Sequence, residues 1–132
     1  MKITADTNVL VRLLMADDEA QNALAIRAVE EASAVAVGIH SLCELAWVLP
    51  RHYGVPRGDV ATAIRHLTEA RNVVVNRPAV EAGLKILEAG GDFADGAIAY
   101  EGRWLGGETF VSFDAKTVKL LERTGKQALI LA

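Results

Sequence analysis

An α/β fold of three layers, with helices on either side of a mostly parallel central sheet, is what this sequence predicts. Short apolar runs rich in β-branched residues recur along the chain, as in Ala34-Val35-Ala36-Val37-Gly38-Ile39 and Val73-Val74-Val75. Longer segments with helical spacing of apolar residues separate them, and glycine or proline marks most of the boundaries. Hydrophobic residues make up 52% of the chain and aromatics only 5%, so Ala, Val, Leu and Ile must build the core. Short aliphatic strands covered on both faces by helices suit that composition.

The elements follow in order. Met1–Ala5 reads as a strand that stops at Asp6. Asp17-Asp18-Glu19 is an acidic helix start, where carboxylates cap free N–H groups and suit the helix dipole; that helix runs to about Ala32. Ala34–Ile39 is the second strand. Ser41 opens a helix carrying Leu42, Leu45, Trp47, Val48 and Leu49, which Pro50 is expected to kink or end, since an interior proline costs about 3 kcal/mol. Gly54-Val55-Pro56 breaks the chain, and Arg57-Gly58-Asp59 leads into a helix through about Arg71. A third strand lies within Asn72–Asn76. Pro78 suits the first turn of a helix reaching Ala89, Gly90-Gly91 ends it, and Asp92 starts another through about Leu105. Thr109–Ser112 is a strand, Ala115–Arg123 a helix, and Ala128–Leu131 a last strand. With no repeat, low-complexity tract or linker, residues 1–132 read as a single domain.

Charge and cysteine usage narrow the function. Seventeen acids against 14 bases give a formal net charge of -3, which argues against blanket electrostatic binding of nucleic acid. Cys43 is the only cysteine, so no intramolecular disulfide can form and a reducing cytoplasm is the expected location. No apolar run follows Lys2 as in a secretion signal, and none approaches the roughly 20 residues that span a bilayer.

Four acids stand where strands end or helices begin: Asp6, Glu44, Asp95 and Asp114. Each has a structural role open to it. Asp6 suits an Asx-turn or helix cap, Ser41-x-x-Glu44 has the form of a capping box, and Asp114 can cap the helix at Ala115. Asp92 is the better cap of the pair three apart, which leaves Asp95 free to project as a ligand with Asp92 as auxiliary. Together they suggest a site for a hard divalent cation, because ligands bind at strand ends of α/β sheets. Unpaired carboxylates about 6 Å apart would repel by about 3 kcal/mol per pair at an effective dielectric near 20, and a cation removes that conflict. Thr7, Asn8 and Ser112 offer hydroxyl and amide groups to orient the carboxylates.

Ala5-Asp6-Thr7-Asn8-Val9-Leu10, then Ser41-x-x-Glu44-Leu45-x-Trp47-Val48-Leu49, Asp92-Phe93-Ala94-Asp95-Gly96-x-Ile98-Ala99 and Ser112-Phe113-Asp114 occur in that order. This succession resembles the PIN-domain nucleases, most closely the VapC-type toxins of bacterial toxin–antitoxin pairs. The resemblance implies an endoribonuclease dependent on Mg2+ or Mn2+, a homodimer, and a cognate VapB-like antitoxin in the active-site groove. It makes Asp6, Glu44, Asp95 and Asp114 the acidic quartet, with Asp6 and Asp95 as principal metal ligands. Pro50 and Gly96 depart from the expected helical pattern.

The remaining candidates carry less. His40, His52 and His66 show no metal-ligand spacing, and Cys43 reads as a small buried residue without a histidine partner. Trp47 and Trp104 can stack on bases, but core or dimer-interface packing is the expected role of both. Arg12 is a candidate RNA contact, while Arg51, Arg57, Arg65 and Arg71 can contact phosphates at a surface or simply form a solvated helical face. Two other functions compete: a catalytically silent PIN-like module that only binds a partner, and a phosphate-transfer receiver domain. The second wants paired acids after the first strand, and Asp6 stands alone there.

Overall fold

The computed structural model describes residues 1–132. Seven helices and five strands alternate along the chain, and every strand pairing is parallel. The α/β expectation is met. The chain divides into two compact units, Met1–Asn76 and Arg77–Ala132.

In the first unit, β1 (Lys2–Thr4), β2 (Ala34–Ala36) and β3 (Val73–Val74) form a sheet with β2 at its centre. The ladder continues past the strands through Ala5 N–H to the Ala36 carbonyl and Val37 N–H to the Val74 carbonyl, both at 3.0 Å. Around it lie α1 (Thr7–Leu14), α2 (Glu19–Glu31), α3 (Ile39–Tyr53) and α4 (Arg57–Glu69). Leu10, Leu42, Leu45, Leu49, Val60 and Ile64 are buried on these helices and Val35 on β2, each such side chain contributing roughly 1.5–3 kcal/mol by leaving water. Asn72 joins helix to sheet by donating to the carbonyls of Val29 (2.8 Å) and Ala32 (3.1 Å) at the end of α2.

Three expectations need correction here. The run Val9-Leu10-Val11 belongs to a helix, α1, absent from the expected order of elements; Asp6 caps it, accepting from Val9 N–H at 3.1 Å. Ser41 does not open α3: the helix begins at Ile39 with Gly38 as N-cap, so the capping box is not formed and Glu44 lies in the second turn. Pro50 neither ends nor breaks α3, which runs on to Tyr53. Proline removes one backbone bond there, but it falls in the last turn. The buried stripe Leu42, Leu45, Ala46 and Leu49 keeps the helix seated, and the N–H groups of Gly54 and Val55 close on the Pro50 and Leu49 carbonyls at 3.1 Å.

The second unit holds α5 (Arg77–Glu88), α6 (Phe93–Trp104), β4 (Phe110–Ser112), α7 (Ala115–Arg123) and β5 (Ala128–Ile130). β4 and β5 pair in register from Phe110 opposite Ala128 to Ser112 opposite Ile130. Ile86, Ala99, Leu120 and Leu121 form a buried cluster on which Phe110 and Ala128 pack. Helices α5 and α6 lie unusually close. A Cβ on Gly96 would meet the carbonyl of Ala82 and come within 2.9 Å of the Gly83 Cα, and one on Gly83 would strike the Phe93 ring at 2.6 Å. Gly96 is thus a packing requirement rather than a weakness, because only a residue without Cβ lets the backbones approach this far.

Candidate metal centre

In the first unit the site is built on two helix starts at the carboxyl ends of β1 and β2. Asp6 directly follows Thr4-Ala5 and spends one carboxylate oxygen on capping α1. Because α1 begins here, Thr7 is held in its first turn, and its hydroxyl donates to Glu44 Oε1 on α3 at 2.9 Å. Thr7 therefore positions Glu44, and the second Glu44 oxygen is left for another partner. Asn8 lines a groove between α1 and α2 with Val9, Arg12, Gln21 and Leu24.

In the second unit Asp92 occupies the N-cap position of α6, but its side chain makes no capping bond. Asp95 sits in the first turn of the same helix and is half-buried. Asp114 caps α7, accepting from the N–H groups of Lys116 (2.9 Å) and Thr117 (3.3 Å), while Ser112 Oγ accepts from Asp114 N–H at 3.0 Å. Thr117 was not anticipated. Buried on α7, it donates its hydroxyl to Asp95 Oδ2 at 3.3 Å and its backbone N–H to Asp114, so one residue links two acids. Its sequence signal is position: the third residue after a capping Asp presents its N–H to that cap.

Electrostatics set Asp95 apart. Burial, then the charge of Asp92, raises the Asp95 carboxyl above its ordinary range; Asp114 adds to this and the Thr117 hydroxyl partly offsets it. None of Asp6, Glu44, Asp92, Asp95 and Asp114 is paired with a basic side chain, whereas Asp17, Glu31 and Glu81 each are. Other acids, such as Asp18, Glu19, Asp59 and Glu122, also lack a basic partner, so what distinguishes Asp95 is its burial beside further carboxylates.

Arg12 shows the contrast. It donates to Asp17 at 2.8 Å and to Gln21 at 2.7 Å, and the Tyr53 hydroxyl reaches the other Asp17 oxygen at 3.0 Å. Burial alone would raise the Asp17 carboxyl, but Tyr53 and then Arg12 hold it below its usual value. Arg12 is committed to tying α1, α2 and α3 together, which weakens its reading as an RNA contact. Both tryptophans also depart from core packing: Trp47 is 52% and Trp104 77% exposed.

The pattern of the PIN domain family matches this chain over residues 3–122. The chain belongs to the PIN domain family. PIN domains are in general metal-dependent nucleases, which gives a nuclease-type function and a nucleic-acid substrate as the coarse reading. Among curated proteins, none matched the chain.

A divalent cation fits the donor set of this PIN domain. The candidate donors are carboxylate oxygens, and hard oxygen donors suit magnesium or manganese. No three His, Cys, Asp or Glu side chains form a ready-made metal cage. Magnesium does not require one, since it binds through one or two carboxylates and keeps several waters or substrate oxygens.

Proposed function

We propose that this PIN domain is an endoribonuclease that hydrolyses RNA phosphodiester bonds with the help of Mg2+ or Mn2+, and that residues 1–132 work as a single domain. The observation that carries the reading is Asp95, half-buried and raised above its ordinary range by burial, Asp92 and Asp114 with no basic side chain to offset them, in a chain of the PIN domain family. Asp6 and Asp95 are the principal ligands, Glu44 and Asp114 complete the set, and Asp92 is auxiliary. Bound there, the cation would lower the pKa of a water and offset charge on the phosphate.

The chain's own residues orient and hold. Thr7 fixes one Glu44 oxygen, so the other keeps a constant direction toward the attacking water. Thr117 does the same for Asp95. Capping holds Asp6 and Asp114 at helix N-termini, where backbone N–H groups also favour the negative phosphate.

The order of the four motifs further supports a VapC-type toxin acting in the cytoplasm as a homodimer and restrained by a VapB-like antitoxin. Helices give no sign of a membrane role: none is long and apolar enough to cross a bilayer.

The test compares cleavage of single-stranded RNA by wild type, by Asp6→Asn and by wild type in EDTA. Asn caps helices as well as Asp, so the variant keeps α1. A loss of about 100-fold or more is expected in Asp6→Asn, and EDTA should abolish cleavage. Equal cleavage in all three would overturn the nuclease reading.

A further inference from the structure

Glu44, Trp47 and Arg51 recur at intervals of three and four along α3 and are all exposed. At 3.6 residues per turn they lie within about 60° of one another, so they share one face, with Trp47 about 4.5 Å and Arg51 about 10 Å along the axis from Glu44. The Arg51 guanidinium carbon stands 4.7 Å from the Trp47 ring centroid, and the His52 ring lies 5.8 Å away at 54°. Neither contact encloses the indole, which remains 52% exposed. Arg51 NH1 donates only weakly, at 3.3 Å, to the Trp47 carbonyl, and no carboxylate neutralises it.

An exposed aromatic ring with an unneutralised cation beside it matches two chemistries at once. Bases stack on indole, and the adjoining phosphate wants a cation. An apolar protein surface would fit poorly here, since covering Trp47 would strip water from Glu44 and Arg51 without pairing either. We propose that Trp47 and Arg51 form a landing platform for single-stranded RNA, Trp47 stacking a base and Arg51 holding the next phosphate, one helical turn from Glu44. The inference rests on the nuclease reading for the direction of the strand, since the scissile phosphate is taken to lie at Glu44.

Both tryptophans would obscure each other in fluorescence, so the test uses the full chain with Trp104→Phe, leaving Trp47 as the sole indole, and Asp6→Asn to stop cleavage. A ten-residue single-stranded oligouridylate in magnesium is expected to quench Trp47, and a matched RNA duplex much less. Without the indole, binding is followed by anisotropy of a labelled strand: Trp47→Ala should weaken it about 10-fold and Trp47→Phe about 2-fold. Arg51→Gln should flatten the slope of log affinity against log salt by about 0.7. No quenching by single strands, equal quenching by duplex, unchanged affinity in folded Trp47→Ala, or a response only to a protein partner would each overturn the platform. None of these readings uses cleavage, so a failure of the nuclease reading shows separately, in the comparison of wild type with Asp6→Asn.

Discussion

Asp95 carries a conflict that a single substitution can expose. Its carboxyl is held above the ordinary range by burial and by Asp92, so the folded protein binds that proton more tightly than the unfolded chain does. The linkage has a definite sign. The contribution favours folding below the unfolded value near pH 3.9 and is lost as pH rises through the folded value, so ionised Asp95 burdens the metal-free protein at neutral pH. Asparagine keeps an oxygen for the Thr117 hydroxyl and carries no charge. Asp95→Asn should therefore raise the melting temperature in EDTA by about 2–4 °C at pH 7, with the difference fading toward pH 4. It should also abolish cleavage and remove most of the stabilisation that added magnesium gives wild type. Thermal unfolding from pH 4 to 8, with and without magnesium, measures all of this; an Asp95→Asn protein that melts at or below wild type in EDTA would refute the account.

At the scale of elements, the close approach of α5 and α6 sets the position of Asp95. Gly96 follows it directly, and the Ala82 carbonyl occupies the place of its missing Cβ. Helix propensity alone says that Gly96→Ala should stabilise by about 1 kcal/mol. Packing says the reverse, because overfilled contacts against backbone cost about 1–3 kcal/mol. Packing should win: Gly96→Ala is expected to lower stability by about 1–2 kcal/mol in urea unfolding and to impair cleavage by shifting α6. A more stable variant would show that α6 can move freely. Nothing in the sequence marks Gly96 in this way, since its reason, the Ala82 carbonyl, lies across a helix contact fourteen residues away. Ser41 and Pro50 misled for a related reason. Each is a strong local signal, but the buried stripe of α3 decides where that helix begins and ends. The strands, the boundaries of α7 and the caps at Asp6, Asp18 and Asp114 were legible because their causes are local: β-branched runs, Asp at an N-cap, glycine at a break. The missed helix α1 is short and apolar, where strand and helix patterns look alike. Among the candidate residues, the acids could be named from motif order; position after Asp114 marks the Thr117 N–H, but nothing local marks its hydroxyl bond to Asp95, 22 residues away.

Over the whole molecule, the charge balance decides how RNA can be held. The chain carries 14 basic residues against 17 acidic ones, and Arg12, Arg27 and Arg77 are each bound to an acid. A net acidic chain argues against gathering phosphates along a broad track, so affinity is expected from a few local contacts: cations at the carboxylates, helix N-termini, and the indole and guanidinium on α3. Each phosphate neutralised by the protein on a single strand contributes about −0.7 to the slope of log affinity against log salt. Two or three contacts predict a slope between about −1.4 and −2.1. Binding of a labelled single strand to Asp6→Asn, at constant magnesium and with monovalent salt varied from 50 to 300 mM, gives that slope directly. A value near −5 would mean a continuous basic path and would refute this account. A shallow slope together with the loss of affinity in Trp47→Ala would locate the grip in stacking rather than in ion release. Specificity would then be set by which bases can leave their own stack to reach Trp47, favouring loops and unpaired stretches over duplex.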